Sequence, residues 1–304
     1  MVGENKRVVF IGSCSYSGST VLDLMIGASE DSVSLGELGR AYYPLHPHHM
    51  RKECGCLDPE CEYWDGISDS AQRDVHQRVF SKHGGDVLVD STKDPHWIKD
   101  RSEELSRAGI DVLNILVWKT PQEIEASFRK RGMGKKWRKH WVNYHRLYFS
   151  LVEEFVVIPF SSIISSNREL EKRLEKVKIE VNRNYWEKPT CSLFGNDSAK
   201  RHLYKSKSDN YRILKDRRGK ELVGMEVYQH RTVGDLTDLN IDDAEYPIMV
   251  EKIRRFLERN DVNLRDGKIT GELESELRMG KIQAWLRRPY RKVRTISAIF
   301  GSGS

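Results

Sequence analysis

The chain has 304 residues, a formal net charge of +6 and five cysteines. It is long enough to bury a sizeable core as one large α/β domain, with or without an extension, and an odd cysteine count at this length does not read as a disulfide framework. No apolar run approaches the roughly 18 residues of a bilayer span, and the segment before Arg7 has no signal-peptide core. The expectation is a cytoplasmic protein without stable membrane insertion.

The first predicted element is the most informative. Val8 to Ile11 is a short β-branched run, Ser15 to Gly18 is a Gly/Ser loop, and Thr20 to Ala28 is an apolar-faced helix. Strand, loop and helix N-terminus in succession form an anion cradle, because the first N–H groups of a helix lack intrahelical partners and the helix dipole adds positive charge. A phosphate or sulfonate is the natural occupant of Ser17 to Thr20. A Walker A loop would need Lys after its last Gly, whereas Ser19 and Thr20 follow Gly18, so ATP and GTP are disfavoured.

Further strands are predicted at Ser32 to Leu35, Val87 to Val89, Val112 to Val117 and Phe155 to Phe160. Helices are predicted at Trp97 to Ala108, Pro121 to Arg131 and Lys136 to Glu154. This alternation specifies a central, mostly parallel sheet flanked by helices, with binding loops at the C-terminal strand ends. Ser17, Glu37, Ser91 and Lys119 each follow a strand and should share one edge.

Later segments carry a weaker signal. Asn167 to Lys176 and Ala244 to Arg259 have helical patterns, and residues 187–240 are polar with scattered aromatics, among them Tyr204, Tyr211, Tyr228 and His230. The latter region is expected to be a lid or acceptor surface. Arg278 to Arg294 is basic without any acidic residue, a pattern read as a solvated terminal helix rather than a nucleic-acid or membrane surface. The expected organisation is one domain over residues 1–275, a basic extension over 276–300 and a flexible linker over 301–304.

Six segments together resemble a known family. SYSGSTVLDLMIG, SLGELGR, CGCLDPECEYW, VDSTKDPHW, LVWKTPQEIEASFRKRG and the Gly195-Asn196 pair followed by Arg201 are similar, in order and spacing, to sulfotransferases that use 3′-phosphoadenosine 5′-phosphosulfate (PAPS). The bacterial type related to tyrosylprotein and carbohydrate enzymes is the nearest in pattern. The resemblance implies a P-loop-like sulfotransferase fold and transfer of a sulfuryl group to a hydroxyl or amine, with 3′,5′-adenosine diphosphate (PAP) as the other product. Ser15, Tyr16, Ser17, Gly18, Ser19 and Thr20 would hold the 5′-phosphosulfate, Lys119 and Ser127 the 3′-phosphate, and Arg201 would be a further donor contact. Glu37 would take the acceptor proton and Lys93 would act as acid or electrostatic catalyst, with Asp90 and His140 as weaker candidates for the base. No metal is required for this chemistry. The implied partner is a small-molecule acceptor and not nucleic acid. A relative that binds PAPS or PAP without turnover, and a P-loop nucleotide kinase, are the alternatives.

Two positions depart from the family pattern. Tyr16 stands where a basic residue usually precedes the Ser-Gly pair, leaving Lys93, Arg40 or Arg201 to supply the missing charge. Cys191 stands where relatives tend to have His. Cys54, Cys56 and Cys61, with His48 or His49, could be read as a zinc site, but their C-x-C start is shorter than the usual C-x₂₋₄-C. A Cys61 disulfide with Cys54 or Cys56 is another option, disfavoured in the cytosol. A reduced, packed loop anchored by Trp64 is the expectation.

Overall fold

The computed structural model describes residues 6–195 except 43–53, 57–59, 68–69, 165–167, 186–187 and 189. His48, His49, Asn196, Arg201, most of the expected lid with Tyr204, Tyr211, Tyr228 and His230, the helix expected at Ala244 to Arg259 and the expected basic extension lie outside the described residues.

Strands β1 (Arg7–Ser13), β2 (Ser32–Gly36), β3 (Val87–Asp90), β4 (Asp111–Trp118) and β5 (Val156–Pro159) pair in parallel in the order β2-β3-β1-β4-β5. The period-two alternation of their side chains makes two apolar faces. Val8, Phe10, Leu88, Leu116 and Val157 enter one core, whereas Val9, Ile11, Val89, Ile115, Val117 and Ile158 enter the other.

The helices are α1 (Ser19–Gly27), α2 (Val75–His83), α3 (Pro95–Arg107), α4 (Pro121–Arg129), α5 (Trp137–Leu151), α6 (Phe160–Ile164) and α7 (Glu169–Glu175). Helices α2 to α5 cover the first face, through residues such as Val79, Ile98, Ile124 and Trp141. Helices α1, α6 and α7 cover the second, through Leu22, Met25, Ile163 and Leu174. The expected α/β architecture is therefore the one found.

Parallel pairing brings every strand's C-terminal end to the same edge. β1 is the switch point: the chain returns beside it as β3 on one side and as β4 on the other. Ligands of open α/β sheets lie in the crevice at such a point. The helices beyond β3 and β4 are started by local caps. Asp94 accepts the His96 N–H (3.1 Å) ahead of Pro95 in α3. Thr120 and Glu123 form a capping box ahead of α4, with Pro121 in its first turn. These caps set the positions of Lys93 and Lys119, which immediately precede them.

Two elements differ from expectation. The apolar run from Phe155 divides at Pro159, where β5 ends, and Phe160 opens α6 instead of extending the strand. Helix α2, which was not expected, fills the first face with Val75, Val79 and Phe80.

Candidate functional site

The loop leaving β1 is shaped by two residues in the left-handed region, Tyr16 (φ 69°) and Gly18 (φ 93°). A Cβ on Gly18 would lie 2.6 Å from the Phe160 ring, so glycine is required by both backbone and space. Gly18 also caps α1, and its carbonyl accepts the N–H groups of Val21 (3.0 Å) and Leu22 (3.2 Å). Ser17, Ser19 and Thr20 are all buried. Ser17 Oγ meets no hydrogen-bond partner among the described residues. A buried hydroxyl at a helix N-terminus, beside a glycine that cannot carry a side chain, suits a bound anion. Ser15 lies against His140, with 3.1 Å between Oγ and Nε2. Burial holds the His140 imidazole below its usual pKa, so it is neutral at pH 7.

Lys119 joins the two halves of the expected donor site. It is 5% exposed, and its ammonium donates to the Tyr16 carbonyl (3.0 Å) and to Ser127 Oγ (3.3 Å). It also lies 3.7 Å from the centroid of the Phe160 ring. A carbonyl, a hydroxyl and a ring face thus surround this buried ammonium. Lys119 and Ser127, eight residues apart in sequence, are thus one polar cluster under the loop.

The second cluster forms at the ends of β2 and β3. Glu37, 12% exposed at its side chain, accepts from Lys93 through Oε1 and from Arg40 through Oε2 (3.2 Å). Burial raises the Glu37 pKa, but the Lys93 and Arg40 charges outweigh it and hold the carboxyl below the usual value. Glu37 is therefore ionised at neutral pH and can accept a proton. Ser91 N–H donates to the Gly36 carbonyl (2.7 Å), and Ser91 Oγ donates to buried Asp23 of α1 (2.6 Å). The Gly39 N–H donates to Thr92 Oγ1 (2.7 Å). These bonds tie the Glu37 and Lys93 loops to each other and to the helix behind the anion loop.

Asp90 does not suit the role of base. Its Oδ2 is bonded to His76 Nε2 (3.0 Å) and the Trp97 indole (2.8 Å), and its Oδ1 accepts the Thr92 N–H (2.9 Å). All three groups are buried with it. Asp90→Asn is expected to lower stability by about 2–4 kcal/mol, because a buried donor then faces a donor. Urea denaturation would measure the loss, and unchanged stability with lost turnover would instead mark Asp90 as the base.

Two residues near the loop were not singled out from sequence. Arg131 places its guanidinium 3.9 Å from the Tyr16 ring centroid and donates to the Ser127 carbonyl (2.8 Å). It brings a cation beside Tyr16, the position at which the resemblance implies a basic residue. Its spacing of four from Ser127 was the available signal. Phe160 was read as the end of a strand and instead packs on both Gly18 and Lys119. Arg40, one of the residues suggested for the missing charge, turns to Glu37 and to the Phe194 ring (4.7 Å).

Cys54, Cys56 and Cys61 are brought together with Cys191, which the sequence reading had kept apart. Trp64 is buried, as expected of an anchor, and its indole donates to the Cys191 carbonyl (2.8 Å). Leu193 bridges to both Gly36 and Cys54, so the Cys191 segment lies directly beside Glu37. Burial pushes the remaining thiol, Cys14, up to about 12, which leaves it protonated and a poor nucleophile.

Among solved structures the chain is similar to two sulfotransferase domains. The "Sulfotransferase Domain from the Curacin Biosynthetic Pathway" is 13% identical with a TM-score of 0.36, over 73% of this chain and 100% of that one. The "Sulfotransferase Domain from the Synechococcus PCC 7002 Olefin Synthase" is 14% identical with a TM-score of 0.39, over 84% of this chain and 98% of that one. No protein-family model and no curated protein matches the chain. Among the described residues, no helix is long and apolar enough to cross a membrane.

Proposed function

We propose that the chain is a PAPS-dependent sulfotransferase acting on a hydroxyl or amine of a small molecule. The observation that carries this reading is the pair of clusters on one sheet edge: Lys119 joined to Ser127 and the β1 loop, and Glu37 joined to Lys93. Hydroxyls, helix N–H groups and ammonium ions form a donor set for an anion-rich ligand.

When bound, PAPS supplies an activated sulfuryl group whose bridging oxygen gains charge as the group departs. Ser17, Ser19 and Thr20 would hold the 5′-phosphosulfate, and Lys119 with Ser127 the 3′-phosphate. The ionised Glu37 takes the proton from the acceptor O–H or N–H at a carboxylate oxygen, a role typically worth about 10²–10⁴-fold in rate. Lys93 holds that carboxylate and sets positive charge at the same strand edge, where it can offset charge developing in the transition state. Residues beyond 195, Arg201 among them, are proposed to complete the donor and acceptor surfaces.

Incubating the purified full chain with radiolabelled PAPS and a panel of phenols, alcohols and amines tests the reading. PAP released in step with a labelled acceptor supports it. PAP binding with no transfer to any acceptor would favour the non-catalytic relative, and turnover of ATP with Mg²⁺ would favour a kinase.

A further inference from the structure

We infer that Cys54, Cys56, Cys61 and Cys191 form a closed tetrathiolate site for one structural Zn²⁺, which staples the Cys191 segment to the end of β2.

The geometry fits an ion better than bonded sulfur pairs. A tetrahedral zinc with Zn–S bonds of about 2.3 Å places its sulfurs about 3.8 Å apart. Here the Cys54 and Cys56 sulfurs are 3.2 Å apart, Cys54 and Cys61 3.7 Å, and Cys61 and Cys191 3.7 Å. All four lie within 4.8 Å of one another. A disulfide requires about 2.05 Å, and the structure forms no disulfide among the described cysteines. The donor set contains only sulfur, which selects zinc or another soft metal over magnesium or calcium. Four protein ligands leave no open position, so the ion would be structural and take no part in transfer.

From sequence, metal is disfavoured by the short C-x-C start, with His48 or His49 as the candidate fourth ligand. The fourth ligand comes from 130 residues further along the chain than Cys61. Bonds around the thiols hold both ligand segments in place. The Gly55 N–H donates to the Ser192 carbonyl (2.8 Å), and the Trp64 indole donates to that of Cys191 (2.8 Å). Hydrogen bonds to the ligand segments are what orient the ligands of a metal site. The Leu193 N–H donates to the Leu35 carbonyl, and the Leu193 carbonyl accepts the Glu37 N–H, both at 2.9 Å. Gly36 permits this close approach, since a Cβ there would lie 2.0 Å from the Leu193 oxygen. Zinc would thereby fix the backbone that carries Glu37.

The test is metal content of the full chain expressed with supplementary zinc, read by mass spectrometry of the metal. About one Zn²⁺ per chain is expected, retained in Cys14→Ser and lost in Cys56→Ser and Cys191→Ser. Should those two variants fail to fold, titrating wild type with a mercurial thiol reagent should release the same single zinc to a chromogenic chelator. Cobalt substitution should give the intense visible bands of tetrahedral thiolate coordination. Wild type without metal, with its thiols freely reactive or with the lower intact mass of a disulfide, would overturn the inference. So would an iron–sulfur chromophore, or zinc that persists in both cluster variants. None of these readouts depends on activity toward any acceptor.

Discussion

Lys93→Ala is expected to lower turnover by about 10²–10³-fold while changing PAP affinity by less than about threefold. Lys93 contacts the Glu37 carboxylate, so its loss falls on the proposed reacting end of the site. The pH profile separates this role from a structural one. In the wild type, Glu37 has a lowered pKa, so its ionised form persists until pH falls below the ordinary carboxylate value of about 4.3. The stability contributed by the pair follows the same sign: it is present above that ordinary value and is lost as pH falls through the lower, folded value. Removing Lys93 leaves burial opposed by Arg40 alone, so the acid limb of residual activity should move to higher pH. Glu37→Gln should abolish that limb and lower turnover by about 10²–10⁴-fold. A Lys93→Ala enzyme with near-normal turnover, or an acid limb that does not move, would remove Lys93 from the chemistry.

Lys119→Met should weaken PAP binding by about 10- to 100-fold, the effect of losing charge-assisted hydrogen bonds worth about 1.5–3 kcal/mol. Methionine keeps much of the packing against Phe160 while removing the ammonium that reaches Tyr16 and Ser127. Binding of 5′-AMP should change far less than binding of PAP, because the proposed partner of Lys119 is the 3′-phosphate. Equal losses for both nucleotides would place Lys119 under the 5′-phosphate instead.

Much of this arrangement was legible in the sequence because its parts are local. The β1 loop, Glu37, Lys93 and Lys119 each follow a β-rich run, and parallel pairing brings such positions to one edge without further information. Ser127 was legible only through the family resemblance, which implies a Ser some eight residues after the basic residue at the strand end. What escaped depends on contacts distant in sequence. Cys191 meets Cys61 across 130 residues of sequence, and Phe160 could not be assigned because a continuous apolar run does not distinguish strand from helix. Pro159 marks the boundary: Ser162 Oγ donates to its carbonyl as the chain turns into α6. Asp90 looked like chemistry because it is acidic and follows a strand. Its three buried partners lie in the strand's own following loop and in α2 and α3, and α2 itself was not foreseen.

Isothermal calorimetry of PAP against ATP with Mg²⁺ and against 5′-AMP, on wild type and Ser127→Ala, tests the central claim most directly. Micromolar binding of PAP, weaker binding of 5′-AMP, little for ATP with Mg²⁺, and a selective loss of PAP affinity in the variant are the expected results. Preference for ATP with Mg²⁺, or PAP affinity indifferent to Ser127, would contradict the assignment of this sheet edge to a 3′-phosphorylated sulfuryl donor.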